Sequence, residues 1–427
     1  MLNANPPTLA PAADRRGLRL AASVAKVRQS VLRDILVQAR SPEVLSFALG
    51  KPSTDLFPRQ ALADAGSLLL ATGGASLQYG PPCRSLKSQI VELMRLRRVA
   101  CREEQIFLCN GAQQGLRLLA QLLLDPGAAV LLEHTVYDGF QAVISDFAPR
   151  LLVVPTNASE GIDVAAVEAR LACGEAPAFL YVIPDGHNPL GISLSPEKRA
   201  ALVALACRYR LPIIEDDACG LLSYEPVPPP LRALDDQWVL YVGSFSKILA
   251  PGLRVGWLVV PDDLVPALSD LKHATDCDTM SFSQHLVSGF LAAGALADHL
   301  ALLRREYMRR RDALLAALRR DLPQALLRNR PQAGLYVWAD LPPDLDATEL
   351  LRVAIAEHKV AFCPGIAFAT PGRSDGSHAI RLSFGNLSCE QIEEAVRRLA
   401  RAVDRLLTTQ ERAHRSVKHT YQEVQPC

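Results

Sequence analysis

The sequence predicts an α/β protein: a mostly parallel, seven-stranded sheet covered on both faces, followed by a smaller α+β unit. Two patterns carry that expectation. Short apolar runs alternate with longer amphipathic stretches between about residues 100 and 300, as in parallel sheets whose crossovers are helical. Beyond about residue 296 a long polar helical pattern gives way to strand-like runs and a last amphipathic helix.

In order, the apolar runs are Gln105–Cys109, Ala129–Glu133, Arg150–Val154, Ala178–Ile183, Leu211–Glu215, Trp238–Gly243 and Val255–Val260. Helical stretches between them include Gln113–Leu124, Val164–Ala172 and Pro196–Tyr209. Helical periodicity also covers about Ser23 to Ala39, Leu296 to Arg320 and Cys389 to Leu407. Gly334–Trp338, Val360–Cys363 and Ala379–Phe384 read as strands of the smaller unit. The expected division is an N-terminal arm and helix (1–45), a large domain (46–295), a small C-terminal domain (296–407) and a polar tail (408–427).

With 427 residues, 49% of them hydrophobic, the chain can bury a large core. The 46 basic and 45 acidic residues nearly cancel, and no basic patch with interleaved aromatics points to nucleic acid. The 10 cysteines are scattered singly, without CxxC pairs or Cys/His ligand spacing, so neither a metal nor a disulfide framework is expected. The start is polar and Pro-rich, and no apolar run is long enough to span a membrane. A reducing cytoplasm is the expected location.

The chemistry concentrates around Lys247. The run Ser244-Phe245-Ser246-Lys247-Ile248-Leu249-Ala250-Pro251-Gly252-Leu253-Arg254 places a lysine between hydroxyls, with an arginine beyond a Pro-Gly turn. An amine condenses with an aldehyde, and hydroxyls with a guanidinium hold a phosphate dianion. Pyridoxal 5′-phosphate carries both groups. Its ring nitrogen must stay protonated, which calls for a carboxylate. Ile213-Ile214-Glu215-Asp216-Asp217-Ala218-Cys219-Gly220 ends an apolar run and offers one. Asp216 is assigned, with Asp217 and Glu215 as alternatives in a shifted register.

These motifs, in order from about Leu45 to Leu406, resemble the class I/II aminotransferases of pyridoxal-phosphate fold type I. The likeness is to the branch of kynurenine/2-aminoadipate aminotransferases and the aminotransferase-like domains of some regulators. The resemblance implies that Lys247 carries the cofactor as a Schiff base and moves the substrate α-proton. It implies that Asn188 donates to the cofactor's phenolate and also faces the substrate, that Tyr137 stacks on the ring, and that Ala218 lies against its face. The amides of Gly111, Ala112 and Gln113, with Ser244, Ser246 and Arg254, would cup the phosphate. Arg381 would grip the substrate α-carboxylate, with Gly50 closing over it. Tyr79 matches a tyrosine that reaches the phosphate of a neighbouring subunit, which implies a homodimer with shared sites. The expected substrates are an α-amino acid and a 2-oxo acid.

Three positions depart from that pattern. Cys219 stands where the family usually has tyrosine, and a thiol is a shorter, weaker donor. Ala112 replaces a common serine, and the loop after Tyr79 is shorter than usual. These departures keep a second reading open: a lyase, replacement enzyme or oxidase on the same scaffold. Too few residues precede Gly50 for the DNA-binding domain of a regulator of this type. The substrate side chain is expected to meet the N-terminal segment, the Tyr79 loop and the Ser281–His285 region, none of which offers a partner for an acidic group.

Overall fold

The computed structural model describes residues 21–27, 37, 39 and 41–422, apart from 227, 278 and 372–375, with side chains described as far as 408. The helix expected over about Ser23 to Ala39 lies mostly outside the described residues; a single 3₁₀ turn is present at Val24–Lys26.

Seven strands form the main sheet: β1 (Ile106–Cys109), β2 (Ala129–Glu133), β3 (Arg150–Val154), β4 (Leu180–Val182), β5 (Ile213–Asp216), β6 (Val239–Ser244) and β7 (Gly256–Val259). Their order is β1-β7-β6-β5-β4-β2-β3. Only β7 runs against its neighbours, pairing antiparallel with β1 and β6, so the other six point the same way. Each strand lies inside or at the edge of its expected run.

The period-two alternation of the strands feeds two separate cores. Val130, Leu132, Ile214 and Leu240 pack on one face. They meet α3 (Ala112–Leu123), α4 (Asp138–Ile144) and α7 (Val265–Asp276). Leu131, Leu180, Val182, Ile213 and Val239 pack on the other, against α5 (Val164–Ala172) and α6 (Pro196–Tyr209). Side-chain caps fix where the helices on this second face begin. Asp163 accepts from Ala166 N at 3.0 Å, and Ser195 accepts from Lys198 N at 3.3 Å ahead of Pro196.

The smaller unit is a four-stranded antiparallel sheet of β8 (Leu326–Leu327), β9 (Tyr336–Asp340), β10 (Cys363–Pro364) and β11 (Ala379–Ser383), in the order β8-β9-β11-β10. Helices α9 (Leu296–Asp321), α10 (Ala347–His358) and α11 (Cys389–Gln422) cover it. The last helix is longer than its apolar pattern: it runs on to Gln422, through most of the stretch read as a tail. Leu399, Val403 and Leu406 of this helix are buried in the core, and Leu407 packs against it.

Leu45–Ser46 pairs in parallel with Val360–Ala361. Ser383 N then donates to the Phe47 carbonyl at 2.9 Å. The segment that delivers Gly50 is therefore stitched to the smaller unit, across the boundary expected at residue 45. Helices α1 (Arg59–Ala71), α2 (Arg84–Leu96) and α8 (Ser281–Ala292) complete this side. Among the described residues no single helix is long and apolar enough to cross a membrane.

One ionic cluster stabilises the junction behind the sheet. Arg97 Nη2 meets Asp185 Oδ2 at 2.9 Å and Asp217 Oδ2 at 2.8 Å, and Arg199 Nη2 meets Asp185 Oδ1 at 2.6 Å. All four side chains are buried. Removing one member strands the opposite charges away from water, so Arg97→Met should destabilise the fold by about 3–5 kcal/mol. Chemical denaturation would read this as a lower midpoint. An unchanged midpoint would show that the cluster contributes no net stability.

Candidate active site

The parallel strands end at one edge, and the chemistry-bearing residues follow those ends. Ser244 closes β6, and its Oγ accepts from Ser246 N at 3.1 Å. Phe245, Ile248 and Leu249 are buried and anchor the next turn, leaving Ser246 and Lys247 to line a cavity of about 480 Å³. Lys247 Nζ donates to the Gly50 carbonyl. The amine thus bridges the strand-end turn and the segment tied to the smaller unit.

One end of the cavity gathers hydroxyls, an arginine and the start of a helix. Gly111 precedes α3, whose first amides open onto the cavity at Ala112 and Gln113. Arg254, with φ of 53°, sends Nη2 to the Asn110 carbonyl at 2.9 Å. Gly111 has φ of 76°, and a Cβ there would lie 2.5 Å from that Nη2, so the arginine can reach this loop only past a glycine. Ser244, Ser246 and Arg254 all line this region.

The three adjacent acids have different surroundings. Glu215 is buried and accepts from Leu231 N at 2.7 Å and Arg232 N at 2.8 Å, inside the fold. Asp217 points into the ionic cluster and also accepts from Tyr241 Oη at 2.8 Å. Asp216 alone of the three lines the cavity. Its Oδ2 accepts from Tyr181 Oη at 2.8 Å, while Oδ1 is buried without a partner. A buried acceptor left open costs stability, and a protonated ring nitrogen is the kind of donor that would fill it. Burial is the main cause that pushes the Asp216 carboxyl up to about 6; the Tyr181 hydroxyl opposes that shift and the nearby Asp217 carboxylate adds to it.

The third group centres on an arginine. Arg381 lies on β11 and is buried, with Nη1 donating to Asn188 Oδ1 at 2.9 Å and Nη2 donating to the Ala48 carbonyl. Its guanidinium sits 4.9 Å from the Tyr336 ring centre and 4.8 Å from that of Phe368, while Nε has no partner. Asn188 stands in a loop closed by a cis bond to Pro189. His187 is not on the cavity: its Nδ1 accepts from Leu190 N at 3.4 Å and its Nε2 lies 3.4 Å from Glu133, a structural role.

Tyr137 lines the cavity, with its hydroxyl 3.5 Å from Gln113 Oε1. Ala218 and Cys219 line the same wall as Asp216. Burial lowers the Lys247 amine below its usual range and is the main cause pushing the Cys219 thiol up to about 12, so that thiol stays protonated. Tyr79 does not line this cavity: its side chain is 87% exposed on the outer surface. Ser281 and His285, expected near the substrate, are also absent from the cavity walls and bond to each other.

Sequence reasoning missed four contributors. Tyr336 was read only as part of a strand, although β9 alternates. Val337 and Ala339 face the main core, and Tyr336 faces the cavity. Tyr181 stacks on Phe140 at 3.6 Å between ring centres and reaches Asp216; buried among apolar neighbours, it gave no signal. Phe368 and Asp138 enter from loops and helix starts that only the fold brings in. Among the described residues no group of three or more His, Cys, Asp or Glu side chains is placed to hold a metal ion.

Lys247, the buried Asp216 carboxyl, Ser244, Ser246, Arg254 and Arg381 thus share one cleft of an α/β fold. The family model for aminotransferases of class I and II matches residues 42–399, and the chain belongs to that family. The chain is 36% identical over 390 residues to the 2-aminoadipate transaminase of Thermus thermophilus, covering 90% of this chain and 96% of that protein. The solved structure of LysN, the α-aminoadipate aminotransferase of the same organism, holds N-(5′-phosphopyridoxyl)-L-leucine. It superimposes with a TM-score of 0.84 at 34% identity, over 91% of this chain and 98% of that one. Pyrococcus horikoshii kynurenine aminotransferase gives a TM-score of 0.85 at 29% identity, over 91% and 97%. The protein is a pyridoxal-phosphate-dependent aminotransferase of fold type I, acting on an amino acid and a 2-oxo acid. These relatives are aminotransferases, which favours transamination over the lyase or oxidase reading.

Proposed function

We propose that Lys247 is the residue that carries the cofactor and moves the substrate α-proton, in a homodimer whose two sites each take Tyr79 from the other subunit. Asp216 Oδ1, open and buried beside Lys247 in the same cavity, is the observation that carries the assignment. Bound there, pyridoxal 5′-phosphate supplies an electron sink that makes an amino acid's α-hydrogen labile. Gly111, Ala112, Gln113, Ser244, Ser246 and Arg254 would hold its phosphate. Asp216 would keep its ring nitrogen protonated, Asn188 and Cys219 would meet its phenolate, and Tyr137 and Ala218 would restrain its ring.

Arg381 takes the α-carboxylate through its planar fork, assisted by Asn188 and by the backbone at Gly50. Fixing the carboxylate orients the α-hydrogen, and Lys247, whose amine burial favours in its neutral form, can accept it. Support for the dimer comes from the exposed Leu68, Leu77, Tyr79 and Met280 around α1 and α8, an apolar group of the kind that association covers. Every described cysteine is a free thiol, which suits a reducing cytoplasm.

A screen of amino donors against 2-oxo acids, read by mass spectrometry of products, tests the reading. It should begin with 2-aminoadipate and kynurenine, the substrates in the relatives' names. The expected result is paired formation of an oxo acid and a new amino acid, with borohydride fixing the cofactor mass on the Lys247 peptide and sedimentation giving a dimer. A cofactor mass on any other lysine would overturn the assignment of Lys247.

A further inference from the structure

Cys219 leaves the Lys247 end of the cavity without the phenol that the family pattern leads one to expect. The cavity nevertheless has a second buried phenol on it, contributed by the smaller unit. Tyr336 lies on β9, is 3% exposed and lines the same space as Lys247 and Cys219. A Cβ on Gly50 would lie 2.2 Å from its hydroxyl oxygen, so the phenol rests directly on the Gly50 backbone. The carbonyl of that same residue receives Lys247 Nζ. The Arg381 guanidinium lies over the Tyr336 ring, 4.9 Å from its centre. One side chain therefore touches both the backbone that receives the amine and the group that binds the substrate carboxylate.

We propose that Tyr336 is a positioning residue for Lys247, supplying from the smaller unit the hydroxyl that residue 219 does not provide. The proposal rests on the reading of Lys247 given above. The thiol of Cys219 is short, buried and a weak donor. The phenol of Tyr336 is long enough to cross from β9 to the Gly50 segment, and burial keeps it protonated well above the usual range. A protonated phenol can either give or accept a hydrogen bond, so it suits an amine in both of its protonation states. The charges that act most strongly on Lys247 are those of Cys219, Arg381, Asp216 and Arg254, and on Tyr336 those of Arg381, Cys219, Asp138 and Asp216. The assignment also accounts for glycine at position 50, because any side chain there would displace the phenol.

Tyr336→Phe removes the hydroxyl and keeps the ring under Arg381. In the cofactor-free protein, amine modification at Lys247 is followed against pH by peptide mass spectrometry. Its midpoint should move by about half a pH unit or more relative to wild type. In the loaded enzyme kcat should fall about 10- to 100-fold, with KM for the amino donor nearly unchanged. An unmoved labelling midpoint overturns the proposal, as does a loss confined to KM. The Cys219→Tyr/Tyr336→Phe double variant adds a rescue arm. Recovery of kcat supports the exchange of roles, and no recovery in a double variant that still takes up cofactor overturns it. Failure of the Lys247 reading itself would be distinct, since wild type would then carry no cofactor at that lysine.

Discussion

Replacing Lys247 with alanine is expected to cut transamination by at least about 10⁴-fold, the largest effect of any single change. Two functions are lost together: the covalent anchor and the base that accepts the α-proton. The fold should survive, because Lys247 faces the cavity while its neighbours Phe245, Ile248 and Leu249 hold the turn in the core. Lys247→Arg separates charge from chemistry. A guanidinium stays protonated at any working pH, so it can neither condense with an aldehyde nor act as a base. The arginine variant should be as inactive as the alanine one, with no cofactor mass retained after borohydride. Lys247→Arg working at more than a tenth of the wild-type rate would remove this lysine from the chemistry.

The second large effect joins activity and stability with opposite signs. Asp216→Asn should lower activity by about 10²–10³-fold, because a buried acid–cation pair with the ring nitrogen can no longer form. The same change should stabilise the cofactor-free protein. Burial raises the Asp216 carboxyl from an ordinary 3.8 to about 6, so the folded chain binds this proton more tightly than the unfolded chain. Its contribution to stability is therefore full below pH 3.8, is lost as pH rises from there to about 6, and stays lost above. Asparagine has no charge to desolvate and can still accept from Tyr181. Without cofactor, the variant should unfold at a higher midpoint than wild type at pH 7.5, by about 2–3 kcal/mol, and the gap should close toward pH 4. A variant less stable than wild type at pH 7.5 would show that the Asp216 site carries no such burial cost. This cost, carried by the empty site and relieved by a bound cation, is the physical form of its readiness for a cofactor.

Much of this was legible in one dimension because strand-and-helix alternation and short motifs are local properties. The apolar runs became β1 to β7 with small changes at their ends, and Lys247, Asp216, Asn188, Arg254 and Arg381 met in one cavity although 193 residues separate Asn188 from Arg381. Asp216 ends a strand of the parallel sheet and Asn188 and Lys247 follow such strands, whose ends share an edge, whereas Arg381 arrives from the antiparallel sheet of the smaller unit. The last helix extends beyond the expected Leu407 end because an apolar stripe marks a packed face rather than the length of the hydrogen-bonded backbone, which runs to Gln422.

The sequence by itself determined the fold class and the cofactor chemistry, and offered candidate residues to bear it. These depend on backbone periodicity and on which side chains can condense, donate or accept. Only the tertiary structure decided among Glu215, Asp216 and Asp217, because the answer lay in their partners: backbone amides at 231 and 232 for the first, and Arg97 and Tyr241 for the last. It alone placed Tyr336 against Gly50 and Tyr181 against Asp216, and left Tyr79 on the outer surface. Those facts are distances between segments far apart in the chain, and packing rather than local propensity sets them.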